Sequence, residues 1–165
     1  MQVERPYREA ARYYRARPPY SAELQPALAQ RLGWDGQGRL LDLGCGPGVL
    51  ARQLGPRFAE VVGLDPEEAM LDEARMATPV ADAERFVWIE AYAEDLPALD
   101  LGRFDAVSLG QSFHWMDREV VARNLLAALV DGGAMVLVHH DKPSFDTPRG
   151  LPATPVAPPI PHQEI

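Results

Sequence analysis

The run RLLDLGCGPG, residues 39–48, decides the fold. Its first five residues are too apolar and too few for an amphipathic helix, and glycines at 44, 46 and 48 follow them at once. That pattern is a buried strand entering a tight turn. The turn opens a short helix, predicted over 48–54. Working outward, AEVVGLD at 59–65 reads as a second strand. PEEAMLDEARM at 66–76 reads as a helix, with proline at its first position and acids in its first turn. RFVWIE at 85–90, FDAVSLG at 104–110 and GAMVLVHH at 133–140 supply a third, fourth and fifth strand. Between the last two, MDREVVARNLLAALVDGG has helical spacing and stops at a glycine pair. Upstream, SAELQPALAQRLG at 21–33 offers a cap at Ser21, apolar residues at helical spacing and a closing Gly33.

Apolar strands that alternate with amphipathic helices imply parallel strands covered on both faces and joined by right-handed crossovers. The fold class is therefore α/β, a doubly wound, mainly parallel sheet. A chain of 165 residues with 47% hydrophobic content has room for one core. The expected organisation is one domain over residues 1–142. Residues 143–165 carry seven prolines and no periodic apolar pattern, so an extended or disordered tail is expected there.

The net charge of -8 disfavours a broad nucleic-acid footprint, which needs a basic face. The exception is the start, where Arg5, Arg8, Arg12, Arg15 and Arg17 outnumber Glu4 and Glu9. The plain account of these arginines is a solvated basic arm, with Arg15 or Arg17 available to an anionic group. One cysteine permits no internal disulfide, no apolar run is long enough to span a membrane, and the first residues are charged where a secretory signal is apolar. The expected location is the cytoplasm, without membrane attachment. His114, His139, His140 and His162 have no structural-zinc spacing with Cys45, and neighbours on a strand, as His139 and His140 are expected to be, point to opposite faces. No metal site is expected.

In doubly wound sheets ligands sit beyond the carboxyl ends of the strands, where strand order reverses. The loop after the first strand is that place. Its glycines admit close backbone approach, and the following helix offers free N–H groups. A dinucleotide fingerprint would require glycine at 49, where the chain has Val49. Asp42 decides further: a carboxylate about 6 Å from a pyrophosphate charge costs roughly 2.8 kcal/mol at an effective dielectric near 20, whereas it favours a cationic ligand. S-adenosylmethionine carries an ammonium and a sulfonium and no phosphate. Asp65 ends the second strand 21 residues after Gly44, where an acid in such folds reaches a ribose diol. The alternative, that Asp65 caps the helix behind it, is compatible with that role.

Several segments together resemble the class I S-adenosylmethionine-dependent methyltransferases, in particular the small-molecule branch called methyltransferase type 11. They are LLDLGCGPG at 40–48, VVGLD at 61–65, AYAEDLP at 91–97, FDAVSLGQSFHWMD at 104–117 and the lead-in YYRARPPY at 13–20. The resemblance covers residues 13 to about 140. It implies the strand order 3-2-1-4-5, with S-adenosylmethionine as cofactor over the first and fourth strands and a small-molecule methyl acceptor. It implies that Gly44, Cys45 and Gly46 line the methionine part, that Asp65 takes the ribose with Pro66 and Met70 beside the adenine, that Ala93 and Glu94 lie near the adenine edge, and that Gly110 lies near the sulfonium. The Cys45 thiol reads more simply as a small buried filler.

Methyl transfer is an in-line displacement, so the protein contributes positioning and water exclusion, with a base only where the acceptor must lose a proton. His114, beside Trp115 after the fourth strand, stands where that base belongs. Packing of the imidazole against the cofactor accounts for it equally well. Two rival readings remain, a truncated or degenerate relative without catalysis and an NAD(P)-dependent oxidoreductase, the latter opposed by Asp42 and Val49. The family continues after the fifth strand with a helix and a terminal hairpin, which the proline-rich tail does not resemble. The fifth strand is therefore expected to present an open edge capable of self-association.

Overall fold

The computed structural model describes residues 19–139. Five strands form one sheet in the order β3-β2-β1-β4-β5, all paired in parallel. The strands are β1 (Arg39–Leu43), β2 (Glu60–Asp65), β3 (Phe86–Glu90), β4 (Phe104–Gly110) and β5 (Leu129–Val138), and the helices are α1 (Leu24–Leu32), α2 (Val49–Leu54), α3 (Glu68–Ala77) and α4 (Arg118–Ala128). The doubly wound architecture and the strand order are those expected from the sequence.

Period-two alternation divides the strand residues between two cores. Leu40, Val61 and Ala106 pack with Leu50, Ala51, Leu54 and Phe58 on the α2 side. Leu41, Leu43, Val62, Leu64, Val107 and Leu109 pack with Val121 and Leu125 of α4 on the other. Two buried faces explain why β1 reads as a continuous apolar run rather than an alternating one. The run is interrupted only by Asp42, which alternation places on the α2 side.

Beyond shifts of a single residue, the element bounds differ from expectation around α3, the α4–β5 junction, the start of α1 and the end of β5. The helix expected from Pro66 begins at Glu68, because Glu67 is extended (φ -107, ψ 102) and its N–H is taken by the Asp65 side chain. Pro66 lies in the turn. The helix expected to run to Gly132–Gly133 ends at Ala128, and the glycine pair falls inside β5. There the ladder slips: from Phe104↔Leu129 to Ala106↔Ala134, two residues advance on β4 while five advance on β5, with Gly132 at φ 80. Ser21 precedes α1 without capping it, its carbonyl accepting from Leu24 N (3.1 Å) and its hydroxyl from Glu23 N (3.3 Å). Gly33 closes α1 in the left-handed conformation, as read.

β5 ends at Val138, so His139 is not on the strand, and His140 lies outside the described residues together with the proline-rich stretch and Arg15 and Arg17. Among the described residues no strand pairs with the outer edge of β5, where Met135 and Leu137 are exposed. No helix among them is long and apolar enough to cross a membrane.

Candidate functional site

The β1–α2 turn is assembled by backbone bonds that tie it to β2. Cys45 N donates to Leu64 O (2.9 Å), Gly46 N to Asp65 Oδ2 (2.8 Å) and Gly48 N to Cys45 O (2.9 Å). Gly44 and Gly48 have φ of 61 and 69, where an L side chain is strained. Space forbids one as well: a Cβ at Gly44 would stand 2.6 Å from Ser112 Cβ, and one at Gly48 would stand 2.5 Å from the Trp88 ring. Ser112, just past β4, donates to Leu43 O (2.7 Å) and so draws the β4 exit against the glycine turn. The two loops meet where strand order reverses between β1 and β4, the position at which this fold class binds ligands.

Two buried carboxylates flank the turn. Asp42 is 1% exposed; its Oδ1 accepts the Ser108 hydroxyl (2.6 Å), while Oδ2 is buried without a hydrogen-bond partner. Burial pushes its pKa up to about 7 against the opposing hydrogen bonds from the Ser108 hydroxyl and the Ala51 backbone N–H. Asp65 is 8% exposed, with Oδ2 on Gly46 N and Oδ1 on Glu67 N (2.9 Å), and burial raises its pKa as well. Asp65 is therefore a clamp between β2 and the glycine turn. Its two oxygens offer four lone-pair sites, so hydroxyl donors of a ligand can still be accepted. The Cys45 thiol is buried and pushed well up by that burial, which leaves its backbone as the chemically relevant part.

The remaining predicted residues are distributed around this centre. Met70 is 2% exposed and Ala93 5%, so both act as packed floor. Glu94 Oε1 accepts from Asp117 N (2.7 Å) and Glu94 O from Asn124 Nδ2 (3.0 Å), tying the 93–99 turn to the start of α4. Gly110 ends β4 with Tyr20 Oη 2.5 Å from where its Cβ would be. Gln111 follows with φ 57 and a buried, unpartnered Nε2. A non-glycine residue held there stores strain of a kind that clusters at functional sites. His114 is exposed, its ring 5.0 Å from that of Trp115, which is 65% exposed.

Sequence reasoning did not single out Ser108, Ser112, Trp88 or Arg52, whose Nη1 donates to Pro47 O (2.6 Å). Ser108 and Trp88 are marked in one dimension as a polar and a bulky residue within apolar strands, whereas Ser112 and Arg52 carry no such signal. The glycine cradle, whose backbone packs too closely for a side chain, and the orphaned, buried Asp42 Oδ2 suit a small ligand bearing a positive charge, and so fit S-adenosylmethionine.

A family model described as methyltransferase domain matches residues 41–137, more than half of the chain. The chain belongs to the methyltransferase domain family. An uncharacterized methyltransferase of Mycobacterium bovis is 37% identical over 130 residues, covering 76% of this chain and 48% of that protein. A trans-aconitate 2-methyltransferase of Variovorax paradoxus is 37% identical over 114 residues, covering 67% of this chain and 42% of that one. The chain thus spans about half the length of the curated relatives it matches. Among solved structures, an S-adenosylmethionine-dependent methyltransferase from Mesorhizobium loti is 31% identical with a TM-score of 0.56, covering 72% of this chain and 53% of that one. The match to the methyltransferase domain contains the end of β1 with Asp42, the glycine turn, Asp65 and the whole β4 exit.

Proposed function

We propose that this methyltransferase domain binds S-adenosylmethionine across the carboxyl ends of β1 and β4 and transfers its methyl group to a small-molecule acceptor in the cytoplasm. The carrying observation is the pair of buried carboxylates at the glycine turn, Asp42 with one free oxygen and Asp65 with acceptor capacity to spare. Two buried acids oppose a pyrophosphate and favour an ammonium and a ribose diol. When bound, the cofactor supplies an electrophilic methyl group.

The chain's own residues do the rest. Gly44, Cys45 and Gly46 shape the backbone around the amino-acid end, and Asp42 faces its positive charge. Asp65 accepts from the ribose, with Pro66, Ala93 and Glu94 around the adenine and Met70 as support beneath it. Gly110, packed against Tyr20 and Leu50, lies near the methyl group, and the β4 exit with His114 and Trp115 faces the acceptor. There positioning and exclusion of water lower the barrier, and His114 accepts a proton where the acceptor carries one. A small acceptor is supported by the Variovorax paradoxus relative, named for methylating trans-aconitate, and by the chain's net charge of -8, which disfavours nucleic acid.

Calorimetric titration with S-adenosylhomocysteine and, separately, with NAD tests the reading. Binding of the first alone is the expected result. Binding of neither, or of NAD in preference, overturns it.

A further inference from the structure

Position 108 lies in the interior of β4, where the neighbouring Ala106, Val107 and Leu109 are all apolar and almost wholly buried. A serine there loses its hydration and gains no apolar contact, so it persists at a cost unless its hydroxyl is bonded. The bond it makes is specific. Asp42 and Ser108 are register partners on the β1–β4 ladder, and alternation places both on the α2 side with Leu40 and Ala106. Ser108 is 0% exposed, and its Oγ donates to Asp42 Oδ1 at 2.6 Å, in the range of a charge-assisted O–H···O⁻ bond. The second oxygen of the same carboxyl, Oδ2, is buried and makes no hydrogen bond among the described residues, although the Ala51 backbone N–H of α2 also favours the charged carboxyl. One oxygen is committed to the sheet and the other is left over.

We propose that Ser108 is a positioning residue for ligand binding, its hydroxyl pinning Asp42 Oδ1 so that Oδ2 is held as the free oxygen for the cationic end of the ligand. The inference rests on the reading given under Proposed function, that this end is the ammonium of S-adenosylmethionine. The groups around Asp42 settle how its charge behaves. Asp65 on β2 opposes its ionisation. Cys45 stays a neutral thiol, and Arg52 of α2 is directed to Pro47 O. The Ser108 bond is thus the side-chain contact that favours the carboxylate against burial, which has pushed its pKa up to about 7.

The sign follows. A cationic ligand binds the ionised form, so its affinity rises with pH through about 7. Without the hydroxyl the charged form loses a hydrogen bond and the midpoint moves up, by about one pH unit if the bond has an ordinary charge-assisted strength. At pH 7 the ionised fraction, and with it the affinity, then falls about fivefold, and the loss vanishes towards pH 9.

The test uses the whole chain labelled with 13C at aspartate carboxyls. Asp42 is titrated by NMR without ligand in the wild type, Ser108→Ala and Ser108→Thr, with Asp42→Asn identifying the signal. S-adenosylhomocysteine affinity is then measured from pH 6 to 9 on each form. The expected result is an upward shift of the Asp42 midpoint in Ser108→Ala, recovery in Ser108→Thr, and an affinity loss confined to the low-pH side. An unshifted midpoint, or an affinity loss equal at every pH, assigns Ser108 to packing alone and overturns the proposal. Should the alanine variant not fold, Ser108→Cys preserves the size with a weaker donor, and its midpoint decides in the same way. A wild type that binds no S-adenosylhomocysteine removes the functional reading, yet the ligand-free titration still decides whether Ser108 controls Asp42.

Discussion

Replacing Asp65 by alanine tests whether this acid is a clamp as well as a ligand. Its two oxygens accept from Gly46 N at 2.8 Å and Glu67 N at 2.9 Å, and both donor residues are buried. An alanine leaves both amides without a partner and without access to water. Each stranded donor costs about 1–3 kcal/mol, so the variant is expected to lose about 2–6 kcal/mol of a total that in domains of this size is about 5–15 kcal/mol. Asparagine keeps one acceptor oxygen but turns an N–H₂ towards the other amide, so about half of that loss is expected. The turn itself loosens, because Gly46 N has no other anchor to β2. Urea unfolding followed by far-UV circular dichroism measures the effect, provided the denaturant slope is unchanged. The ligand arm is read separately, as S-adenosylhomocysteine affinity at a temperature where each variant is folded. An alanine variant within about 0.5 kcal/mol of wild type would refute the clamp, since surface-like substitutions change stability by that little.

Asp42→Asn is expected to do the opposite to stability while weakening cofactor binding. The folded-state pKa lies above the ordinary value of 3.8, at about 7. The folded state therefore binds more protons than the unfolded one between those values, and stability is lost as pH rises through that window. Removing the charge should recover roughly 2–4 kcal/mol at pH 8 and little at pH 4, and thermal melts at the two pH values check it. A variant that melts below wild type at pH 8 contradicts it. Gly48→Ala places a Cβ against Trp88 at φ 69 and is expected to lose about 2–4 kcal/mol, from left-handed strain plus overpacking; an unchanged urea midpoint counts against the cradle. The edge of β5, with Met135 44% and Leu137 38% exposed, is expected to pair with a second copy, so light scattering should find association that Leu137→Lys reduces. A monomer at every concentration would dismiss that pairing.

What was legible in the sequence is what one dimension encodes. The strands β1 and β4 were read with their observed bounds, because an apolar run buried on two faces is its own signal and the glycine turn marks its end. The misread boundaries are those set by particular hydrogen bonds and strand pairings, which composition and periodicity do not encode. α3 starts late because the Asp65 carboxylate, two residues back at the end of β2, takes the Glu67 amide and holds that residue extended. The 129–133 segment joins the strand because β4 pairs with Leu129 before it and with Ala134 after it, so that Gly132–Gly133, with the composition of a helix stop, falls in the slip between them.

The same distinction runs through the site. Asp42 was read as a charge suited to a cation, and that reading needed only its place before the glycines. Its burial and the raised pKa that burial causes needed the assembled sheet, and its fixed oxygen needed Ser108, 66 residues away and visible as a partner only once β1 and β4 pair in register. A carboxyl with a pKa of about 7 is a costly object in a domain core. Its cost is offset only when something positive arrives at Oδ2, so the energetics of the empty fold and of the loaded one are opposed at a single atom. Stability of the isolated domain and affinity for its cofactor should therefore move in opposite directions for any substitution that changes the charge of Asp42 alone. They should move together for those, such as Asp65→Ala, that break the turn.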